Sequence, residues 1–234
     1  MKKNTWKIMI AMILSMVMVF TVTACGDSDP ASEEGDSTAA ELTTDDIDAL
    51  MWQIAEQEVE LSYQDYLPDV GFANAEILGV DKEGVDGTAY AVLNTEEYVA
   101  LNGVAYDMSG VQGPAIIRFE YTDDAPTLKE VVWAEDGEGQ EAWLEENFPE
   151  EYLKALKSYE GYDENGQSLL IKALIPTVEK EMNVTVETEN LLTIDTENGT
   201  YEIVKTIESG NPEDGDYKFD TETIEKGNLS DLNS

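Results

Sequence analysis

The chain has 234 residues, 51 of them acidic against 13 Lys and Arg, with no histidine and a single cysteine. A formal charge of −38 argues against nucleic acid as a partner, because that binding rests on neutralising phosphates. Without histidine there is no imidazole base, no Ser-His-Asp triad and no common zinc site, and a lone thiol cannot close an intramolecular disulfide.

The N-terminus reads as an export signal. Lys2, Lys3 and Lys7 precede an apolar run from Ile8 to Val22. That run is about 15 residues, short of the roughly 20 a bilayer span requires. It ends in Val22-Thr23-Ala24-Cys25, which resembles the lipobox of bacterial lipoproteins. The resemblance implies that residues 1–24 are removed and that Cys25 carries diacylglycerol, placing the protein at the extracytoplasmic face of the cell membrane. Two acyl chains hold stably where one does not. Removing the three lysines leaves 10 basic against 51 acidic residues, a formal charge of −41. Such a chain is repelled by anionic lipid, so the anchor on Cys25 is the expected membrane attachment. Residues 25–42 are expected to be a flexible acidic tether, since Gly26 to Glu41 offers no large apolar side chain.

Residues 43–182 are expected to form an α+β domain. Thr43 and Asp46 approximate a capping box, and Ile47, Leu50, Met51, Ile54 and Leu61 fall near one helical face, so the first helix is predicted from Thr43 to Leu67-Pro68. From Phe72 to Glu135 the period changes. Short β-branched and aromatic runs (Thr88 to Leu93, Val99 to Leu101, Ala115 to Tyr121, Leu128 to Trp133) alternate with turn residues at 84–87, 102–103, 110–114 and 123–126. Connections so short join antiparallel neighbours, and Asn102-Gly103 is the strongest hairpin signal. Helices are predicted at Ala142 to Tyr159, with Pro149 in a first turn, and at Ser168 to Met182, where Pro176 should kink or divide the helix. Residues 183–208 read as a β-hairpin extension, and 209–234 as an acidic, disordered tail. The predicted architecture is an N-terminal helix packed on an antiparallel meander of four or five strands, followed by two helices and a short hairpin.

One further resemblance covers about residues 43–182. Ala75-Glu-Ile-Leu-Gly-Val-Asp-Lys-Glu-Gly, Gly87-Thr-Ala-Tyr-Ala-Val-Leu, Asn102-Gly, Ser109-Gly, Pro114-Ala-Ile-Ile-Arg-Phe, Trp133-Ala-Glu-Asp-Gly and Asn147-Phe-Pro-Glu-Glu-Tyr resemble a clostridial-type extracellular domain. That domain follows membrane metallopeptidases of the penicillin-sensor transducer type and also occurs in stand-alone lipoproteins. The peptidase of those transducers needs a His-Glu-x-x-His helix, which a histidine-free chain lacks. The resemblance therefore implies an accessory or sensing domain, with a membrane sensor protein as its partner, and it transfers no functional residue.

The chemistry left open is narrow. There is no Gly-x-x-x-x-Gly-Lys-Ser/Thr loop, no Gly-x-Gly-x-x-Gly opening a helix and no Ser-x-x-Lys in the mature chain. No cofactor, metal ligand set or catalytic residue is assigned. Asp136 to Gln140 with Glu145 has the composition of a calcium loop but puts Ala134 where the first oxygen ligand belongs, and Asp163-Glu-Asn-Gly also fits poorly. Paired carboxylates could serve a surface hydrolase, and a structural or cation-binding surface protein is the other alternative. The leading expectation is a non-catalytic ligand- or partner-binding module. Its candidate contacts are Trp133, Trp143 and Tyr152, which flank the sheet-to-helix junction.

Overall fold

The computed structural model describes residues 42–122, 125–209 and 218–232, so the signal segment, Cys25 and all of the tether but Leu42 lie outside the described residues. The chain is α+β. It comprises α1 (Thr44–Glu58), β1 (Asp69–Glu83), β2 (Asp86–Leu101), β3 (Val104–Thr122), β4 (Ala125–Trp133), α2 (Gln140–Asn147), α3 (Glu150–Ser158), α4 (Leu169–Met182), β5 (Thr185–Glu187), β6 (Asn190–Asp195), β7 (Thr200–Ser209) and β8 (Lys218–Asn228). One sheet has the order β1-β2-β3-β4 with β5 also paired to β3, and the other has the order β6-β7-β8. No helix of the described residues is long and apolar enough to cross a membrane.

The chain divides into two compact units, and the division is not the one expected. Among the described residues, the first takes 42–54, 74–93 and 112–170, and the second 55–73, 94–111 and 171–232. The cause is strand length. β1, β2 and β3 run 15, 16 and 19 residues, against a usual length of about 5–6. Each strand therefore has one stretch in each unit. Residues 94–98, which lay between two expected strand runs, and 110–114, expected as a turn, continue β2 and β3 as extended chain.

In the first unit, Thr43 caps α1 as predicted. Its hydroxyl accepts from the Asp46 amide (3.2 Å), and Asp46 Oδ2 accepts from the Thr43 amide (3.0 Å). Ile47, Leu50, Met51 and Ile54 form the buried face. Gln53 ties the helix to β4, donating to the Pro126 carbonyl (3.1 Å) and accepting from the Leu128 amide (2.9 Å). β3 and β4 pair antiparallel from Ala115↔Trp133, with a bulge between Arg118 and Phe119. Pro114, which has no amide proton, stands just outside that ladder and accepts from the Ala134 amide (2.9 Å).

Three helices follow the meander where two were expected, because Pro149 forces Phe148 out of helical geometry (φ −102°, ψ 133°) and so separates α2 from α3. Pro176, by contrast, does not divide α4, which is a single helix from Leu169 to Met182.

In the second unit, α1 stops at Glu58, well before Leu67. The amides of the next helical turn are captured elsewhere: Ser62 donates to Glu97 Oε1 (2.6 Å) and Tyr63 to Asp69 Oδ2 (2.7 Å). The β2–β3 turn is the Asn102-Gly103 hairpin, with φ of 54° and 81° at the two central residues. β5 runs parallel to β3 (Val104↔Thr185 to Tyr106↔Glu187), a departure from the all-antiparallel expectation that the long intervening helical connection permits.

The expected terminal hairpin is a three-stranded sheet. β8, in the segment read as a disordered tail, pairs along β7 from Tyr201↔Gly227 to Ser209↔Lys218. Its Asp220 to Lys226 side chains are exposed, so the strand is held by backbone pairing and shows no apolar pattern. Tyr201 lies over Gly227 and donates to Glu225 Oε1 (2.8 Å).

Candidate functional site

The three aromatic candidates occupy the first unit and are half-buried. Two of them join one packed cluster. Tyr90 meets Phe148 edge-on (5.1 Å between ring centroids) and Tyr152 at a tilt (5.1 Å), and Trp143 leans on Phe148 (6.2 Å). These spacings are those of aromatic pairs that stabilise a core. Tyr152 also lies flat over Gly79, where an added Cβ would stand 1.9 Å from its ring. Its hydroxyl donates to Asp81 Oδ1 (3.0 Å). Burial, reinforced by the neighbouring Asp81 carboxylate, pushes that phenol up to about 12. Trp133 ends β4 opposite Ala115.

The residues with unusual chemistry are in the second unit, and sequence reasoning passed over them. They are Asp69 on β1, Glu96 and Glu97 on β2, and Asp107 and Ser109 on β3. Consecutive strand residues point to opposite faces, yet Glu96 is only 4% exposed and Glu97 only 1%. Each carboxyl is satisfied from within the protein. Glu97 accepts from the Ser62 amide on one oxygen and from the Ser109 hydroxyl on the other (2.9 Å). It also faces Asp69, whose Oδ2 takes the Tyr63 amide, while the buried Oδ1 meets no donor. Glu96 bonds Asp107 and the side chain of Asn94. Its carboxyl presses on Gly110, where a Cβ would stand 1.8 Å from Oε2.

The electrostatics follow from this packing. Burial pushes Glu96 up to about 8, with Asp107 adding to the rise by its charge and by hydrogen bonding, while Asn94 opposes it. Asp107 reaches solvent, yet it is ringed by enough protein that desolvation is its main upward push, ahead of the Glu97 charge. Asp69 rises to about 6, first from burial and then from Glu97, against the lowering hydrogen bond from the Tyr63 amide. Tyr98 and Tyr63 are raised too, by burial first and by these acids second. No lysine or arginine figures among the influences on Glu96, Asp107 or Asp69. Resolved ion pairs such as Lys180–Glu181 and Lys226–Glu202 lie elsewhere. Among the described residues, no group of three or more Asp, Glu, His or Cys is arranged to hold a metal ion.

A recess of about 300 Å³ opens in the same unit beside the hairpin turn. Tyr66, Pro68, Leu101, Asn102 and Leu232 line it, with no acid or base among its lining residues. The chain matches no protein family, no curated protein and no solved structure.

Proposed function

We propose that this is a lipid-anchored extracytoplasmic protein whose folded part is a non-catalytic module, a helix laid on a meander, that binds a ligand or a membrane sensor partner. The observation that carries the non-catalytic reading is the placement of its paired acids. A glycosidase holds two carboxyls about 5–9.5 Å apart across open space for the sugar. Here Glu96 and Glu97 are buried, and the oxygens of Glu97 are taken by Ser62 and Ser109. No substrate oxygen can reach Glu97 without breaking those bonds. The recess beside Asn102 supports binding in a second way, since its mixed apolar and polar lining offers contacts and supplies no acid or base.

The enzymatic test uses the mature protein incubated with purified cell-wall polysaccharide. No reducing ends above the buffer control are expected. Sustained release that disappears in Glu97→Gln would overturn the reading in favour of a carboxylate hydrolase.

The anchor is tested separately. Both lipid transfer and cleavage depend on the Cys25 thiol, so Cys25→Ala is expected to accumulate as uncleaved precursor without the lipid. Processing after residue 24 together with retention in the membrane fraction contradicts the lipobox assignment.

A further inference from the structure

Asn-Gly occurs three times in the chain, at 102–103, 165–166 and 198–199. Such a pair carries a latent reaction, because glycine has no Cβ to shield its amide nitrogen from the preceding side chain. The fold treats the three pairs differently. At Asn165 the backbone amide is bound by Asp163 Oδ1 (2.8 Å), and the Gly166 amide, the group that would attack, donates to the Asp163 carbonyl (3.0 Å). At Asn198 the carboxamide that would leave is fixed by Asp195 Oδ2 (2.7 Å), while Asp195 Oδ1 holds the backbone amide (3.0 Å). Asn102 and Gly103 are both exposed, and among the described residues no hydrogen bond holds the Asn102 side chain or the Gly103 amide. We propose that Asn102 is a self-modifying site, whose conversion to a carboxylate turns the neutral recess beside it anionic.

The reaction needs only water and hydroxide. The Gly103 amide nitrogen gives up its proton and attacks Cγ of Asn102. The N–Cγ bond forms, the Cγ–Nδ2 bond breaks, and Nδ2 leaves as ammonia with a proton. The cyclic imide then takes up water. Opening at Cγ leaves an aspartyl residue, and opening at the main-chain carbonyl leaves an isoaspartyl residue whose chain runs through Cβ and Cγ. The attacking nitrogen is anionic, so a neighbouring carboxylate opposes its formation. Asp163 and Asp195 stand against the other two pairs, and no such contact burdens the first. Attack also requires the Asn102–Gly103 peptide plane to rotate. The bond from the Thr185 amide (3.2 Å) holds the Gly103 carbonyl, which belongs to the next plane. A Cβ built on Gly103 meets nothing within 4 Å, so the rotation has room.

Conversion changes the recess in two ways. Asn102 lines it together with Tyr66, Pro68, Leu101 and Leu232, none of them charged. A carboxylate at this place disfavours an anionic ligand and favours a cationic one. An isoaspartyl linkage adds a main-chain carbon to a two-residue loop whose length fixes the register of β2 on β3. Both changes accumulate with the age of the molecule. The chemistry depends on the turn alone, whereas its effect on a ligand rests on the reading of this recess as a binding surface.

The experiment incubates the full mature chain at pH 8.5 and at pH 6 and follows all three pairs by peptide mapping. The readouts are the mass change of NH2 exchanged for OH and the enzymatic methylation of isoaspartyl carboxyls. Asn102 should convert several-fold faster than Asn165 and Asn198, and faster at the higher pH. Urea removes the fold, and in it the three pairs should react at comparable rates. Conversion of Asn165 or Asn198 ahead of Asn102 in the folded chain overturns the proposal, as does no conversion of Asn102. The same ranking in urea also overturns it, since the preference then belongs to the sequence and not to the fold. Conversion of Asn102 in a chain that binds nothing supports the site and counts only against the recess as a binding surface.

Discussion

Phe119→Ala is expected to cost the first unit about 3–5 kcal/mol, the range for deleting a fully buried aromatic ring. Phe119 is 1% exposed, meets Tyr121 edge-on at 5.7 Å and lies directly against Gly87, where a Cβ would fall 2.3 Å from its ring. β3 is also bulged at this residue, between Arg118 and Phe119. Backbone distorted to place one ring cannot readily close on the space that ring leaves. Equilibrium unfolding in urea checks the value, and Phe119→Leu should recover part of the loss. A cost of less than about 1 kcal/mol for the alanine variant contradicts this account of the core.

Glu97→Ala is the second large effect, also about 3–5 kcal/mol, because removing one member of a buried polar network strands the others. The Ser62 amide and the Ser109 hydroxyl lose a common acceptor at once. Glu97→Gln should cost less, since the amide keeps the shape and one acceptor oxygen. Its nitrogen, however, must face a donor. Hydrogen exchange at residues 94–111 is the local measurement: faster exchange there in Glu97→Ala than in Glu97→Gln is the expected order. Equal protection in both variants contradicts the acceptor role.

What the sequence made legible was local. The capping pair Thr43 and Asp46, the buried face of α1, the Asn102-Gly103 turn and the α+β class all follow from short-range chemistry that nothing at a distance overrode. What it hid was set by distant partners. The end of α1 depends on Glu97 and Asp69 taking amides that lie six residues or more away in sequence. β8 was obscured because its exposed face is charged and its pairing partner is backbone. The buried acids had a visible signal all the same. Asn94-Thr-Glu-Glu97 stands between Ala91-Val-Leu and Tyr98-Val. Leaving it outside the strand runs, in a chain so rich in acid, concealed that a single long strand must bury one of two adjacent glutamates on each face. The candidate aromatics, chosen for their place at a junction, include two that are engaged in holding α2 and α3 to the sheet through Phe148 and Tyr90.

The adjacency of Glu96 and Glu97 also bears on how the long strands find their alignment. A strand buried on both faces carries little directional information in its apolar residues alone, since a shift of one position exchanges one hydrophobic set for another. β2 is such a strand from Ala91 onward. Sliding it by one residue in either direction puts only one of the two glutamates in the other's place and carries the second to a position built for Tyr98 or for Thr95. Alignments that an apolar strand would find nearly equal in energy thus become unequal. The two glutamates mark a single correct pairing along a ladder otherwise long enough to slip.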